Sequence, residues 1–187
     1  MKKLLLLSGS LRAESWNTRL LAKLSSRPAL EKCQIEWLNS SELAWPLFNE
    51  DQEHDSTIQA HVKKIMACVN EADALIIASP EYNGMVSAFL KNAVDWLSRM
   101  PHIQPGVRNV FLDKPVLLCA ASTGGSGGAT GLSSARALFA YLGACVFGQT
   151  ITLPFAHMQW TEIGFFFDSE TEQIFDDVLQ RFVQFSD

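Results

Sequence analysis

The sequence predicts an α/β protein built on a five-stranded parallel sheet with helices on both faces. Short apolar runs of strand length alternate about five times with longer segments of helical periodicity, and this order favours a parallel sheet. The runs Ala74–Ala78 and Val116–Ala121 are apolar throughout, which is typical of strands buried on both faces. With 187 residues, 48% of them apolar, and no repeat or linker, we expect one domain over residues 1–187.

The N-terminal half follows this alternation. Lys3–Ser8 is an apolar run that stops at a loop, and residues 17–27 then form a helical pattern whose leucines share one face. Ile35–Leu38 predicts a second strand. Ser56 is placed to cap the next helix, whose apolar stripe ends at Val69.

The C-terminal half continues in the same way. Residues 86–98 have helical periodicity, and a loop with Pro and Gly covers 101–114 before the fourth strand. A further helix ends near Gly143, a residue type suited to a helix C-terminus, and Cys145–Leu153 and residues 174–183 give the fifth strand and a closing helix. Five β/α units are typical of flavodoxin-like three-layer folds, in which ligands bind beyond the carboxyl ends of the strands. The loops expected at that edge are 9–17, 79–86 and 122–131.

Charge and cysteine content exclude several functional classes. A net charge of −5 and a pI near 5.4 disfavour a surface for nucleic acid. The cysteines lack CxxC spacing and the histidines lack metal-ligand spacing, so neither disulfides nor a metal site are expected. Cys119 and Cys145 lie in apolar runs and are expected to be buried. The sequence contains neither a GxSxG nucleophile nor a convincing acid–base pair, so no catalytic side chain is predicted.

The apolar runs are too short for a membrane protein. None approaches the roughly 20 residues of a spanning helix, so no membrane partner is expected. Met1-Lys2-Lys3 followed by four leucines resembles the start of a signal peptide, but the run ends at Ser8, short of the roughly 7–15 residues of such a core. We therefore expect a cytoplasmic protein whose first strand is buried.

The loop after the first strand has the composition of an anion site. Residues 8–18 offer a glycine, four hydroxyls, an amide and the guanidinium of Arg12, and they lead into a helix N-terminus. Free N–H groups and the helix dipole favour a phosphate there, and Arg12 adds a charged hydrogen bond. The sequence matches neither GxxxxGK[ST] nor GxGxxG. The alternative is that these residues only form a turn and cap the helix.

The other two loops favour a flat, oxygen-rich ligand. In residues 79–84, Pro80 stiffens the chain, and Tyr82 and Asn83 are able to stack on and hydrogen-bond to a heterocycle; an ordinary turn is the alternative. Residues 122–128 contain four glycines and no lysine, so backbone N–H groups would bind the ligand unless the segment is a flexible connector. A cofactor that brings its own chemistry would explain why the loops carry no catalytic side chain.

Taken together, these segments resemble the NAD(P)H-dependent FMN reductase family, the flavodoxin-like quinone, chromate and azo-compound reductases. Gly9–Asn17 is similar to the family's GSxRxxSxN phosphate loop. Ser79–Gly84, continuing to Leu90–Trp96, resembles its PEYN and LKNAIDW signature, and Ser122–Gly128 resembles its SxGGxGG segment. The matches follow the family's order over about residues 3–150.

This resemblance implies a bound FMN whose two ends contact different loops. The phosphate would be held by Ser10, Arg12, Ser15, Asn17 and Thr18. The ring would lie beside Pro80, Glu81, Tyr82, Asn83 and Gly84, with Ser122, Gly124 and Gly125 closing the far side. The family also implies a homodimer or homotetramer with flavin sites near subunit interfaces, for which residues 86–98 and 133–143 are the candidate contacts.

The activity implied is ping-pong hydride transfer from NADPH or NADH to FMN and then to a quinone-like or other small oxidised acceptor. A different class, a non-catalytic FMN-binding electron carrier or redox sensor, is the main alternative. A phosphoryl-transfer domain is disfavoured because Walker elements are missing. No basic cluster indicates a preference for NADPH over NADH.

Two features depart from the family's pattern. Many members have a small residue and a proline after the PEYN-like turn, whereas this chain has Met85-Val86-Ser87-Ala88, a bulkier edge expected to narrow or reshape the substrate cleft. The segment Phe155–Phe167 matches nothing in the family. It is expected either in the core or as a lid over a partner's flavin, with Phe165–Phe167 the candidate for a subunit interface.

Overall fold

The fold is a five-stranded parallel sheet with helices on both faces. It is seen in a computed structural model that describes residues 1–104, 106–162, 164–165 and 167–186, apart from the side chain of Phe165. The strands in these ranges are β1 (Lys2–Ser8), β2 (Cys33–Leu38), β3 (Ala74–Ala78), β4 (Glu81–Tyr82), β5 (Met85–Val86), β6 (Pro115–Ala121), β7 (Cys145–Leu153), β8 (Trp160–Thr161) and β9 (Gly164–Phe165). The sheet order is β2-β1-β3-β6-β7, and every neighbouring pair is parallel. This is the strand order of flavodoxin-like folds, as the sequence predicts.

Helices cover the two faces of the sheet unequally. The α-helices in the described ranges are α1 (Trp16–Ser25), α2 (Ser56–Glu71), α3 (Ala88–Ile103), α4 (Ala129–Tyr141) and α5 (Ser169–Phe185). One core lies between the sheet and α1 and α5, and the other lies between the sheet and α2, α3 and α4. In β1, Leu4 and Leu6 join the first core, whereas Leu5 and Leu7 join the second. Strand side chains alternate between faces, so only a continuous apolar run fills both cores.

Several predicted boundaries shift for local reasons. Asp55, rather than Ser56, caps α2, because its carboxylate accepts hydrogen bonds from the N–H groups of Thr57 and Ile58 at 2.8 and 3.0 Å. Helix α3 runs through Pro101 into the predicted loop, and the Gln104 N–H bonds the Met100 carbonyl at 2.9 Å. Gly143 has a φ of 84° just after α4, the left-handed conformation expected of a residue that ends a helix.

The predictions for cysteines and late aromatic residues need correction. Cys119 is buried, but Cys145 is exposed, because it begins β7 at the edge of the sheet. Phe167 is 4% exposed and its ring lies 5.3 Å from that of Phe175, so it belongs to the core and not to an exposed interface. The side chain of Phe165 and all of Phe166 lie outside the described residues.

No helix in the described ranges is both long enough and apolar enough to cross a membrane.

Candidate functional site

Three loops meet at the carboxyl edge of the sheet and enclose a cleft of about 180 Å³. They come together because β1, β3 and β6 are adjacent and parallel, so the loops that follow them lie side by side. The cleft is lined by Ser10, Arg12, Ser15, Trp16, Asn17, Pro80, Glu81, Tyr82, Ala121, Ser122 and Thr123. Trp16, Ala121 and Thr123 are not among the residues predicted from sequence. Predicted residues outside this lining are Thr18, Asn83, Gly84, Gly124 and Gly125.

Close packing fixes the start of the first loop. The Gly9 N–H donates to the Ala78 carbonyl at 2.7 Å, and the Ser87 hydroxyl, which caps α3, donates to the Gly9 carbonyl at 2.6 Å. A Cβ on Gly9 would lie 3.2 Å from the Cβ of Leu90. Glycine therefore lets the loop lie directly against β3 and α3.

The N-terminus of α1 opens on the cleft with its polar groups arranged for an anion. Ser15 caps the helix, its Oγ accepting from the Thr18 N–H at 3.3 Å, and the Ser10 hydroxyl accepts from the Arg12 N–H at 3.3 Å. The Arg12 side chain is exposed and takes part in none of the ion pairs between described residues. First-turn N–H groups have no partner within the helix, and the helix dipole adds positive potential. An anionic group is therefore favoured here.

The side chains of Asn17 and Thr18 make internal hydrogen bonds. The Asn17 amide donates to the Ala121 carbonyl at 3.1 Å and accepts from the Ala121 N–H at 2.9 Å. The Thr18 hydroxyl donates to Ser8 Oγ at 2.8 Å. These bonds join α1 to the ends of β6 and β1, a role that sequence reasoning missed because Asn17 and Ala121 are 104 residues apart.

The second loop contains a β-hairpin with a two-residue turn, and this hairpin presents Tyr82 to the cleft. Asn83 and Gly84 have φ values of 53° and 77°, the conformation of a type I′ turn, and Tyr82 pairs with Met85 across the β4–β5 ladder. Tyr82 is 54% exposed. The sequence analysis predicts only a turn here and misses the β4–β5 ladder. The Asn-Gly pair was a signal that could have found it, because this pair is typical of two-residue hairpin turns.

The Glu81 carboxylate is engaged by the N-terminus of α4. Its Oε2 accepts from the Gly131 N–H at 2.9 Å, and a Cβ on Gly131 would lie 2.9 Å from the Cβ of Glu81. A carboxylate at a helix N-terminus is stabilised by the helix dipole, and α4 has no acidic residue in its own first turn. Glu81 thus lines the cleft while its charge holds the hairpin against α4.

The third loop is packed tightly against the segment that follows β7. The Ser122 N–H donates to the Leu153 carbonyl at 3.0 Å, and the Ser122 carbonyl accepts from Ala156 at 2.9 Å. Gly127 has a φ of 62°, and a Cβ there would lie 2.8 Å from the nitrogen of Pro154. These contacts argue against a flexible connector.

Near the third loop, one backbone N–H group is already hydrogen-bonded and one cysteine thiol is buried and protonated. The Gly124 N–H already donates to Ser122 Oγ at 3.1 Å. Beneath the loop, burial raises the pKa of the Cys119 thiol well above its usual value, so that this group stays protonated at neutral pH. In the described ranges, no group of three or more His, Cys, Asp and Glu side chains is arranged to hold a metal ion.

The signature segment in α3 lies outside the cleft and holds another loop in place. The Asn92 amide accepts from the Phe48 N–H at 2.7 Å and donates to the Pro46 carbonyl at 3.1 Å. The Trp96 indole N–H donates to the same carbonyl at 2.8 Å, and its ring lies 5.0 Å from that of Phe48. Both side chains therefore shape residues 45–48 rather than contact a cleft ligand.

A second cavity of about 460 Å³ borders the hairpin on its other side. Tyr82 lines both this cavity and the cleft, whereas Met85 lines only the second cavity. The rest of its lining is Asn83, Val86, Ala88, Lys91, Ser134 and Leu138. The bulk of Met85 thus affects the surface between α3 and α4.

The fold and the cleft together define a flavodoxin-like protein with a polar cleft at the carboxyl edge of its sheet. The family model described as NADPH-dependent FMN reductase matches residues 2–158, and the chain belongs to this family.

Individual relatives agree with this assignment. The NADPH:quinone oxidoreductase of Arabidopsis thaliana is 41% identical over 124 residues, which are 65% of this chain and 59% of that protein. The quinone reductase of Escherichia coli K12 is 34% identical over 143 residues, 76% of this chain and 72% of that protein. The chain thus spans about three fifths of the Arabidopsis protein's length.

A solved structure supports the fold. FerB of Paracoccus denitrificans, described as a flavoenzyme NAD(P)H:(acceptor) oxidoreductase, superposes with a TM-score of 0.83 at 22% identity, covering 100% of this chain and 97% of that one.

Proposed function

We propose that this protein is an FMN-dependent NAD(P)H oxidoreductase that reduces a quinone-like or other small oxidised acceptor. The observation that carries this proposal is the cleft: Arg12 and the α1 N-terminus lie on one side, and Pro80 and the exposed Tyr82 lie on the other. The first side suits an anionic phosphate and the second suits a flat heterocycle. The Arabidopsis relative is named NADPH:quinone oxidoreductase and the E. coli relative quinone reductase, which supports the class of acceptor.

The contacts of the predicted residues suggest which atoms would hold FMN. Ser10, Arg12 and Ser15 would bind the phosphate with side-chain groups, together with the first-turn N–H groups of α1. Asn17 and Thr18 would act through their backbone, since their side chains bond Ala121 and Ser8. The ring would contact Pro80, Glu81, Tyr82, Asn83 and Gly84 on one side and Ser122, Gly124 and Gly125 on the other, with Glu81 acting through its backbone.

Bound FMN would supply the redox chemistry, by accepting a hydride from NADPH or NADH and passing two electrons to the acceptor in a ping-pong sequence. The chain's own residues would bind the FMN and orient it in the cleft. Arg12 and α1 would fix the phosphate end, and the packed Gly9 would keep that loop at a constant distance from β3. The rigid third loop would set the position of the ring's far edge. We assign no side chain as a general acid or base.

The oligomeric state belongs to the same proposal. Met85, which lines the 460 Å³ cavity between α3 and α4, is 57% exposed, and Tyr141, the last residue of α4, is 89% exposed. Exposed apolar groups of this kind are typical of subunit contacts, so we propose a homodimer or homotetramer through these helices. Sedimentation equilibrium of the wild type and of Tyr141→Glu would test this oligomeric state, and the variant should shift towards monomer.

We also propose that the protein acts in the cytoplasm, because its reaction needs a steady supply of NAD(P)H.

The test of cofactor binding compares FMN with riboflavin, which lacks the phosphate. Loss of a charged hydrogen bond in Arg12→Gln should weaken FMN binding by about 1.5–3 kcal/mol and leave riboflavin binding nearly unchanged. Titrations followed by flavin fluorescence measure both affinities. Unchanged FMN affinity in the variant would remove Arg12 from the site.

Anaerobic reduction distinguishes an enzyme from an electron carrier. FMN-loaded protein should lose its flavin absorbance on mixing with NADPH or NADH in a stopped-flow instrument and regain it on adding a quinone. Flavin that stays oxidised with both nicotinamides would favour the carrier or sensor.

A further inference from the structure

The acidic residue nearest to Arg12 in the sequence pairs with a different arginine. Glu14, two residues on, forms an ion pair with Arg19 in α1. Relative to the cap residue Ser15, Glu14 precedes the helix and Arg19 is its fourth residue. Side chains at these two positions meet at many helix starts through an apolar contact that fixes how the chain enters the helix. Here an ion pair replaces that contact.

Two tryptophans fix the Arg19 guanidinium. Its central carbon lies 4.0 Å from the ring centroid of Trp160 and 4.8 Å from that of Trp16, and the two rings are 6.0 Å apart. The Arg19 side chain is 21% exposed, whereas that of Glu14 is 67% exposed. A planar guanidinium stacked on aromatic rings has a defined orientation, so the partner carboxylate is directed to one place. Trp160 belongs to the β8–β9 hairpin, so this hairpin contacts the first turns of the helix that follows the first loop.

Without Arg19, the Glu14 carboxylate would have two other positive partners. Arg12 is exposed, and none of the ion pairs between described residues occupies it. The first-turn N–H groups of α1 begin two residues after Glu14, and carboxylates are stabilised at helix N-termini for the same reason as phosphates. Both partners are groups that a phosphate in the cleft would need. A released Glu14 would compete with that phosphate and repel it.

We propose that Arg19 is a positioning residue that sequesters Glu14 and so keeps Arg12 and the α1 N-terminus available for the cofactor phosphate. This inference rests on the proposed FMN site. It assigns an indirect role in cofactor binding to an arginine that does not line the cleft, and it makes Trp160 of the β8–β9 hairpin part of the cofactor's support.

A double-mutant cycle with two ligands tests the proposal. Apparent Kd values for FMN and riboflavin are measured by flavin fluorescence for the wild type, Arg19→Gln, Glu14→Gln and the double variant. We expect Arg19→Gln to weaken FMN binding about threefold to fivefold, the upper part of the range for one exposed charge interaction, and to change riboflavin binding less than twofold. Glu14→Gln alone should bind FMN like the wild type. The apparent Kd of the double variant for FMN should return to within twofold of the wild-type value.

Two outcomes would overturn the proposal. If the double variant binds FMN as weakly as Arg19→Gln, the arginine does not act through Glu14. If FMN and riboflavin weaken equally, Arg19 has only a structural role. Arg108→Gln is the control for lost charge, because Arg108 pairs with Asp113 at the opposite edge of the sheet, and it should bind both flavins normally. A wild type that binds neither flavin would instead contradict the proposed function itself.

Discussion

The two sides of the cleft use their polar groups in opposite ways. On the first-loop side, the Arg12 side chain is exposed and belongs to none of the ion pairs between described residues. On the other side, the Glu81 carboxylate bonds the Gly131 N–H, and Gly127 and Gly128 lie against neighbouring atoms. A charged residue that lines a cleft is therefore not automatically a ligand-binding residue. Its existing hydrogen bonds decide whether removing it affects binding or stability.

The largest expected effect is on the packed side, at Gly128. Its φ is 89°, and an added Cβ would lie 2.7 Å from the Cβ of Ala120. Left-handed strain and overpacking should together lower the free energy of unfolding of Gly128→Ala by about 2–5 kcal/mol. Urea denaturation measures this change. Gly148→Ala is the matched control, because nothing lies within 4 Å of the added Cβ there, and its stability should stay near that of the wild type. A loss below about 1 kcal/mol at Gly128 would show that the third loop yields easily.

Asn17 joins the two sides, so its loss should affect both properties. Asn17→Ala leaves the N–H and carbonyl of Ala121 without their partner, which should cost about 2–3 kcal/mol of stability and also weaken FMN binding. Asn92→Ala removes comparable amide bonds in α3, away from the cleft. It should lower stability by a similar amount and leave the FMN affinity within twofold. Weakened FMN binding in Asn92→Ala would place the signature segment in the site after all.

The smallest expected effect comes from Glu81, and it sharpens the comparison most directly. Glu81→Gln removes a charge from the α4 N-terminus and should lower stability by about 0.5–1 kcal/mol, with FMN affinity unchanged. Arg12→Gln should weaken FMN binding and leave stability unchanged, since the Arg12 side chain forms no ion pair with another described residue. Thermal unfolding measures the stability of both variants, and flavin titration measures their FMN affinity. Equal changes in the two variants would contradict the division between the two sides.

The sequence anticipated the sheet well because its strands are short, continuous apolar runs. Ala74–Ala78 and Cys145–Leu153 were predicted to the residue, and the parallel order follows from alternating strands and helices. Helix starts were less certain for a local reason. Asp55 and Ser56 both suit a helix cap, and only the position of the carboxylate beside two N–H groups decides between them.

The sequence also indicated which three loops would meet, since the carboxyl ends of adjacent parallel strands must share one edge. The tertiary structure decided what each polar residue there does. Asn17 bonds a residue 104 positions away, and Glu81 bonds one 50 positions away, so no local pattern predicts either contact. Phe167 shows the same limit, because an aromatic residue in an irregular segment becomes core only when another element, here α5, packs on it. Apolar patterning is local and determines the fold class, whereas a polar group's role depends on which partner the folded chain brings within hydrogen-bond distance.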